Sequence, residues 1–407
     1  MINLINNNEK LTPYVFYSRL LKDAAISIKE NADICFKLVE NGDENLFESN
    51  YNIEPISIPL VLSLIEQLSK FYSKPINLSL YNNIATKKVL SFLFKSDFFY
   101  VAGNNKNPTY PIGRNILKFK EAYLGDFIKN NPRPEHKVRC YSLQDHGLSE
   151  ELERFDSEES KRDFLISEYI YIVRDHFQAL LFDNENTVDN ADLYVEILSE
   201  LITNGVLHSN SDTFALMFVN KFATKFSISD NGIGFTESLK NKQKDLLYDP
   251  LELRQELDRL RLLSINDKIL ENFNYIIETL YYSSLKDRKG LFDLMLSVVL
   301  GSEGYFRLHS ENSQIIISSR MVNELSALAE LRNRLFNLHR EKLVNGDRDG
   351  IIEEMIIIKN TIKSKFIVLY QIICKRYNED YRYSSLRFFN VKFRGVHIEV
   401  EIPNNKA

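Results

Sequence analysis

Apolar residues follow two periods along this chain, and together they predict an α+β protein. Apolar positions three and four residues apart predict helices over residues 61–72, 87–94, 251–263 and 266–282, and one or two helices over 150–182. Residues 1 to about 50 also have a helical pattern, which is strongest over 14–34. Alternation at every second residue predicts strands over 75–81 and 138–143, the latter at a sheet edge.

The segment 194–235 combines both periods. An amphipathic helix that ends near His208 is followed by two predicted strands, Thr213–Val219 and Phe222–Ser229. Polar residues recur at every fourth position of the helix and therefore line one of its faces: Glu196, Glu200, Asn204 and His208. An ordinary solvated face is the alternative. Such a face usually mixes Lys with Glu, whereas this one has two acids, an amide and an imidazole.

A loop with two glycines follows the second strand, in the order Asp230-Asn231-Gly232-Ile233-Gly234. The glycines let the backbone pass close to a ligand, and the Asp230 carboxylate can accept a hydrogen bond from an exocyclic amine. Asp-Asn-Gly is also an ordinary turn sequence, which is the alternative. Its occurrence soon after the polar helix face favours a binding loop.

The pattern Glu200-x-x-x-Asn204 followed by Asp230-x-Gly232-x-Gly234 resembles the N box and the first glycine box of the GHKL ATPases. That superfamily includes gyrase, a class of heat-shock chaperones, MutL, histidine kinases and anti-sigma-factor kinases. The resemblance implies a GHKL (Bergerat-type) α/β sandwich, in which a mixed, mainly antiparallel sheet has helices on one face. It also implies ATP and Mg²⁺ as ligands.

The resemblance gives each matching residue an expected role. The side-chain oxygen of Asn204 would complete an octahedral Mg²⁺ shell, because Mg²⁺ takes few protein ligands. Glu200 would accept a proton from the attacking water or orient that water, which is worth roughly 10²–10⁴-fold in rate. Asp230 would bind the adenine amine, while Gly232 and Gly234 would let the chain pass the base.

The next segment, 236–289, resembles an enlarged nucleotide lid. It ends in a basic loop that directly precedes an apolar helix over 291–300, and the loop residues expected to bind phosphate are Lys286, Arg288, Lys289 and Gly290. Basic residues at a helix N-terminus suit phosphate oxygens. A solvated loop is the alternative. The family usually has two glycines here, whereas this chain has one.

Three strands are predicted after the basic loop. Residues 305–309 and 314–318 would pair around a turn at Glu311-Asn312, and 393–403 would form the last strand. Val396 stands where the family commonly has a threonine near the adenine. The hydroxyl contact would therefore be either lost or supplied from elsewhere, with Thr213 and Ser229 as candidates.

These patterns divide the chain into four parts. Residues 1–115 would form a smaller N-terminal α/β domain, and 116–188 a connecting helical region. The N-terminal domain loosely resembles a STAS-like segment, and an unrelated small α/β domain is the alternative. Residues 189–320 with 386–407 would form the GHKL domain, into which 321–385 is inserted as a helical hairpin. The hairpin either covers the core or provides a surface for a protein partner or a homodimer, and the N-terminal domain is the other candidate for that surface.

Composition narrows the classes of function. A chain of 407 residues allows two or three domains, and its net charge of −5 gives no basic field for nucleic acid or an anionic membrane. Cys35, Cys140 and Cys374 are far apart and show no metal-ligand spacing, so reduced thiols in the cytoplasm are expected. Neither a signal sequence nor a membrane span is expected.

Three functions are compatible with these features. The first is a Mg·ATP-binding ATPase that acts as a nucleotide-controlled conformational switch in bacterial signalling or defence. The second is a Ser/Thr protein kinase of the anti-sigma-factor type that acts on a STAS-like partner. The third is an interaction module that holds nucleotide without hydrolysing it, which would agree with the single glycine of the basic loop and with Val396.

Overall fold

A computed structural model describes residues 1–30, 32–39, 50–107, 110–125, 127, 137–209, 211–346 and 349–404. The chain divides into two compact units. Unit 1 is Met1–Gly232 with Phe389–Phe393 and Asn404–Ala407, and unit 2 is Ile233–Phe388 with Arg394–Pro403. Helices accompany both parallel and antiparallel strands, so the predicted α+β class is confirmed. The GHKL form of that class stays a prediction.

Unit 1 begins with a parallel sheet. Its first strands are β1 (Ile2–Ile5), β2 (Lys10–Leu11), β3 (Cys35–Val39), β4 (Asn52–Ile53), β5 (Ile76–Ser79) and β6 (Leu117–Lys118). The sheet has the order β1-β3-β5-β6, and β2 pairs separately with β4. The helices of this region are α1 (Pro13–Val15), α2 (Leu21–Lys29), α3 (Ile58–Tyr72), α4 (Lys87–Lys95) and α5 (Phe98–Ala102).

The helical pattern predicted for residues 1 to about 50 is wrong at β1 and β3. In β3 the buried residues Phe36 and Leu38 alternate with the partly exposed Cys35 and Lys37, as expected of a strand. Both strands are short, and the longer helical segment between them has more apolar residues. The helical spacing of those residues therefore determines the pattern that is seen over residues 1 to about 50. The sheet is held by pairing with β5, a partner that local periodicity does not show.

The second part of unit 1 is antiparallel. Strands β7 (Lys137–Tyr141), β8 (Thr213–Val219) and β9 (Ala223–Asp230) pair in that order, and helices α6 (Leu148–Leu152), α7 (Glu158–Leu181) and α8 (Ala191–Ser209) lie between β7 and β8 in the sequence. The predicted helix ending near His208 and the strand β8 are confirmed. Strand β9 is shifted by one residue from its prediction, and β7 is the predicted edge strand.

Strands β8 and β9 have helices on both faces. Helix α3 packs on one face and α8 on the other. Both faces of β8 are apolar, because Phe214 and Leu216 join the core around α3 while Ala215 and Met217 are buried on the α8 side. This differs from the predicted sheet with helices on one face, since the N-terminal residues of unit 1 cover the other.

Unit 2 consists mainly of helices. They are α9 (Gly234–Lys240), α10 (Glu252–Leu260), α11 (Asp267–Ser284), α12 (Leu291–Leu296), α13 (Val322–Asn345) and α14 (Asp349–Glu379). Its strands are β10 (Tyr305–Ile317) and the parts of β11 (Leu386–Pro403) outside Phe389–Phe393, which belong to unit 1. Helix α11 is largely buried and packs on β10 and α10. The predicted lid region thus contains a core helix of unit 2. Its movement as a lid stays a prediction.

The strand pair predicted at 305–309 and 314–318 is wrong, because these residues form one strand, β10. Glu311 has a φ of 59° and kinks the strand without reversing it. Its carbonyl oxygen lies 3.0 Å from Nε2 of His309, which stabilises the kink. Leu308 and Ile315 are fully buried on either side, so burial keeps both halves in one strand.

The predicted helical hairpin is present as α13 and α14, which pack on each other. Helix α14 also binds α10 through salt bridges of Lys359 with Glu252 at 2.6 Å and of Lys363 with Glu256 at 2.7 Å. The hairpin therefore covers other helices of unit 2, and a partner surface stays a prediction. Within the described ranges, no helix is both long and apolar enough to cross a membrane.

Candidate functional site

Helix α8 carries Glu200 and Asn204, and its packing on the sheet determines where they lie. A Cβ atom at position 205 would stand 2.7 Å from Oγ1 of Thr213, so the helix can approach β8 this closely only with glycine there. Leu201 and Ile202 are buried in the same turns of the helix. The C-terminal turns of α8 therefore rest on the first residue of β8.

Glu200 and Asn204 form a hydrogen-bonded pair. Nδ2 of Asn204 donates to Oε1 of Glu200 at 3.1 Å. The same carboxylate forms a salt bridge with Arg162 of α7, and both side chains are sheltered, at 13% and 11% exposure. The guanidinium balances the charge of the carboxylate and fixes its orientation. With Nδ2 on Glu200, Oδ1 of Asn204 is the atom of that side chain that can coordinate a cation.

Asp230 lies on the face of the sheet that α8 covers. It pairs with Thr213 across β8 and β9, and cross-strand partners project to the same side. Because Thr213 rests against Gly205 of α8, Asp230 projects to the α8 side as well. The structure thus brings the two halves of the predicted motif to one face of one sheet.

The Asp230 carboxylate is sheltered and oriented. Its Oδ1 accepts a hydrogen bond from the backbone N–H of Gly232 at 2.8 Å, which is the geometry of an Asx turn. Asp230 is 7% exposed and Gly232 is buried. The turn chemistry predicted for Asp-Asn-Gly is therefore present, and it holds the carboxylate that was expected to read a base.

The two candidate hydroxyls lie on opposite faces. Thr213 is fully buried on the Asp230 side, and no described residue forms a hydrogen bond with its Oγ1. Ser229 pairs with Phe214, whose ring belongs to the core around α3, so its side chain faces away from α8. Only Thr213 shares a face with Asp230.

Gly234 belongs to unit 2, where it opens α9 with a φ of +70°, a conformation that favours glycine. A Cβ at this position would lie 3.6 Å from Oγ of Ser310 and 3.9 Å from the carbonyl oxygen of Gly395. Ser310 is 2% exposed, and its Oγ has no hydrogen-bond partner in the part of the chain that is described. Val396, next to Gly395, is half-buried.

The basic loop also belongs to unit 2, and its own neighbours engage much of it. Nζ of Lys286 lies 3.0 Å from Oδ2 of Asp245 and 4.3 Å from the centre of the Tyr282 ring. Burial acts against the charge of Lys286, but the tyrosine and the aspartate together raise its pKa. Arg288 is half-buried and Lys289 is exposed. Lys286 is therefore partly neutralised before any phosphate arrives.

Asp293 occupies the N-terminus of α12. Its Oδ2 accepts from the backbone N–H of Gly290 at 3.1 Å, while Oγ of Ser283 accepts from the N–H of Phe292 at 3.0 Å. Two of the N–H groups expected to meet a phosphate thus have partners within the chain. Phosphate binding by this loop stays a prediction.

Arg332 of α13 is buried and holds the basic loop through hydrogen bonds to its backbone. It is 1% exposed and binds both carboxylate oxygens of Asp293, at 2.9 and 3.0 Å. It also donates to the carbonyl oxygens of Lys286 and Arg288, at 2.6 and 2.7 Å. This one side chain therefore ties the loop, the start of α12 and the hairpin together.

Arg162 and Arg332 were not predicted as site residues. Arg332 had a usable signal, because it occupies a helical-spacing position between the buried Leu328 and Leu335. An arginine in such an apolar stripe indicates a buried ion pair. Arg162 has no comparable signal, since the polar residues around it in α7 are typical of a solvated helix.

The other two polar positions of α8, Glu196 and His208, add no further residue to the candidate site. Glu196 is exposed, as expected of a solvated position, and the side chain of His208 lies outside the described part of the structure. No cluster of three or more His, Cys, Asp or Glu side chains suited to a metal ion occurs among the described residues. Comparison of the chain with protein-family models, curated proteins and solved structures found no match.

Proposed function

We propose that unit 1 binds ATP with Mg²⁺ at the face shared by α8 and β9, and that the bound nucleotide acts as a conformational switch. One observation carries this proposal: Asp230 pairs with Thr213, and α8 rests on Thr213 at Gly205. The shared side is what a nucleotide needs, because base and metal are recognised by different residues.

The chemistry of the side chains fits these two tasks. Oδ1 of Asn204 would take one position in a Mg²⁺ shell completed by phosphate and water. Asp230 would accept a hydrogen bond from the adenine amine, which favours ATP over GTP. Thr213 would supply the hydroxyl that Val396 lacks. The phosphate role of Lys286, Arg288, Lys289 and Gly290 is proposed from the resemblance alone.

A second candidate function is a module that holds nucleotide without hydrolysing it. The observation in its favour is the salt bridge between Arg162 and Glu200. A general base must accept a proton from the attacking water, and a guanidinium that binds the same carboxylate competes for its lone pairs. Glu200 would then orient water or Asn204 instead of taking a proton.

The test is a calorimetric titration of the purified chain with ATP and Mg²⁺, beside Asp230→Asn and Asp192→Asn. The first variant keeps the cap on Gly232 but offers an amide in place of the carboxylate, so ATP affinity should fall about 10- to 100-fold. Its preference for ATP over GTP should also disappear. Asp192 lies exposed on α8 in a surface pair with Arg174, so Asp192→Asn should bind like the wild type. Wild-type protein that binds no ATP would contradict the proposal.

A further inference from the structure

Asn231, between Asp230 and Gly232, is held by helix α3 on the opposite face of the sheet. Its Nδ2 donates to the carbonyl oxygen of Ser63 at 3.1 Å and to Oε2 of Glu66. Its Oδ1 accepts from Nε2 of Gln67 at 2.6 Å. Asn231 is 7% exposed, so these contacts replace water almost completely.

These contacts exceed what the turn requires. An Asx turn needs only the Asp230 carboxylate and the N–H of Gly232, and that hydrogen bond is already made. The backbone N–H of Asn231 also donates to Oγ of Ser211, at 3.2 Å. A displacement of Asn231 would therefore move the carboxylate on one side of it and the glycine on the other.

Glu66 is the ionisable member of this contact. It is 2% exposed, and its Oε1 lies 2.6 Å from Nζ of Lys70 on the same helix. Asp212, which precedes β8, and the thiol of Cys140 on β7 are the other titratable groups that act on it electrostatically. Burial, with a further contribution from Asp212, raises the pKa of Glu66 to about 7.

We propose that α3 positions the Asp230–Gly232 loop for nucleotide through Asn231, and that the charge on Glu66 sets how firmly the loop is held. The proposal rests on the proposed nucleotide function of unit 1. An ionised Glu66 accepts a charge-assisted hydrogen bond from Asn231, which is stronger than the bond to a neutral carboxyl. Nucleotide binding is therefore tighter at pH 8 than at pH 6. Ser63, Glu66 and Gln67 are positioning residues, and none of them needs to touch the ligand.

The affinity for Mg·ATP at pH 6 and pH 8 tests this proposal. The wild type should bind about fivefold more tightly at pH 8, the difference between a charged and a neutral hydrogen bond. Glu66→Gln has a neutral side chain of the same size and should lack this step. Asn231→Ala should bind weakly at both values. The titration of the nucleotide itself affects every variant alike, so the comparison removes it.

Ser69→Ala is the matched control, because the half-buried Ser69 also lies on α3, but its hydroxyl donates to the carbonyl oxygen of Lys74 and not to the Asp230–Gly232 loop. It should keep the wild-type pH profile. If Asn231→Ala fails to fold, Glu66→Gln carries the test alone. A pH step that persists unchanged in Glu66→Gln, or a wild type that binds Mg·ATP equally at both values, would overturn the proposal.

Hydrogen exchange separates this proposal from the nucleotide function. If the wild type binds no Mg·ATP at either pH, the proposed nucleotide function has failed. The contact of Asn231 with Ser63, Glu66 and Gln67, called the tether, is then tested on the ligand-free protein. After correction for intrinsic exchange, the amide of Gly232 should be less protected in Asn231→Ala than in the wild type. Without denaturant, where this amide exchanges by local opening of the loop and not by unfolding of unit 1, it should also be less protected at pH 6 than at pH 8 in the wild type, but not in Glu66→Gln. Equal protection in all three proteins would overturn the tether.

Discussion

Glu200 receives both a guanidinium and an amide, from Arg162 and Asn204. Oε1 accepts both hydrogen bonds, so they occupy lone pairs that a general base would need for the proton of the attacking water. The same contacts hold the carboxylate beside the Asn204 side chain, which is useful for orienting a metal ligand or a water molecule. Turnover would then depend on whether nucleotide binding shifts Arg162 away from Glu200.

Variants of Glu200 and Arg162 can distinguish ATP hydrolysis from nucleotide binding without hydrolysis. If Glu200 is the general base, Glu200→Gln should lower phosphate release by about 10²-fold or more while ATP affinity stays near the wild-type value. Arg162→Gln leaves the Glu200 carboxylate without its counter-charge, so phosphate release at saturating ATP should rise. Release that is unchanged in both variants would mean that Glu200 takes no part in turnover.

Thr213 and Ser229 form a natural pair of test and control. Both hydroxyls are buried, and neither has a hydrogen-bond partner among the described residues, but only Thr213 faces α8 with Asp230. Thr213→Val keeps the side-chain shape, so it should lower ATP affinity about fivefold, the value of one hydrogen bond. The free energy of unfolding should stay the same or increase, because an unsatisfied hydroxyl is removed. Calorimetry and urea unfolding measure both.

Ser229→Ala should leave ATP affinity unchanged, because its side chain faces α3. An equal loss of affinity in both variants would mean that the effect is structural and travels through the sheet. An unchanged affinity in Thr213→Val would remove Thr213 from the proposed site. From the sequence, Thr213 and Ser229 are equivalent candidates for the hydroxyl. The register of β8 and β9 leaves only Thr213 of these two on the side of Asp230.

The spacing of residues in the sequence predicts those members of the candidate site whose partners are close in sequence. Glu200 and Asn204 are one helical turn apart, and the Asx turn of Asp230 spans three residues, so both follow from spacing. Arg162 and Glu200 are separated by 38 residues and Arg332 and Asp293 by 39. Such pairs depend on how helices dock. Periodicity within one helix can mark a position such as Arg332 as buried, but it does not identify the partner on the other helix.

At the scale of elements, helix α13 acts as a support for the basic loop. Arg332 binds the carboxylate of Asp293 and two loop carbonyls, all from a position that is almost completely buried. The predicted hairpin insertion thus contributes to the geometry of residues that are distant in sequence. Its apolar residues alone would give no reason for an arginine at this position.

Removing this arginine should destabilise unit 2. Arg332→Met keeps much of the side-chain volume but leaves Asp293 and the two carbonyl oxygens without their donor, and breaking a buried ion pair typically lowers stability by about 3–5 kcal/mol. Urea unfolding measures the change. Arg334→Ala is the control, since Arg334 lies on the same helix in an exposed pair with Glu354 and should change stability by less than about 1 kcal/mol. Losses of equal size would contradict a special role for Arg332.

The elements themselves were predictable to different extents. Strand β8 was predicted correctly and β9 to within one residue, because both are seven or eight residues long and follow a strong helix. Strand β8 is an almost continuous apolar run, whereas apolar and polar residues alternate in β9. Strands β1 and β3 were missed, since four or five residues are too few to outweigh neighbouring helical periodicity. Glu311-Asn312 has the sequence of a turn. It forms a kink within β10 instead, because the residues on both sides of it are buried in the same strand.

At the scale of the whole molecule, the chain forms two units, and the four parts predicted from the sequence do not map onto them one to one. The predicted boundary near residue 115 lies inside unit 1, where α3 and α8 cover the two faces of β8 and β9. A composition-based boundary could not show that the N-terminal residues share a core with the following sheet.

Among the described residues, each unit contains one buried glutamate with a raised pKa. Glu66 lies in unit 1, and Glu278 lies in unit 2, where it is fully buried and accepts from the backbone N–H of Arg254 at 2.7 Å. Burial is the main reason that both pKa values are raised from 4.5 to about 7. The native protein therefore keeps both protons at pH values where the unfolded chain has released them.

The stability of both units should consequently fall as the pH rises from 5 to 8. Between the unfolded and the folded pKa the native state binds more protons than the unfolded state, so the free energy of unfolding decreases with pH, by about 2 kcal/mol for each group. Glu66→Gln should remove this decrease in unit 1 and leave unit 2 unchanged, and Glu278→Gln should do the reverse. Hydrogen exchange in urea, followed separately in peptides from α3 and α11, measures the two units independently. A pH dependence that survives in the unit carrying the glutamine would show that other groups cause it.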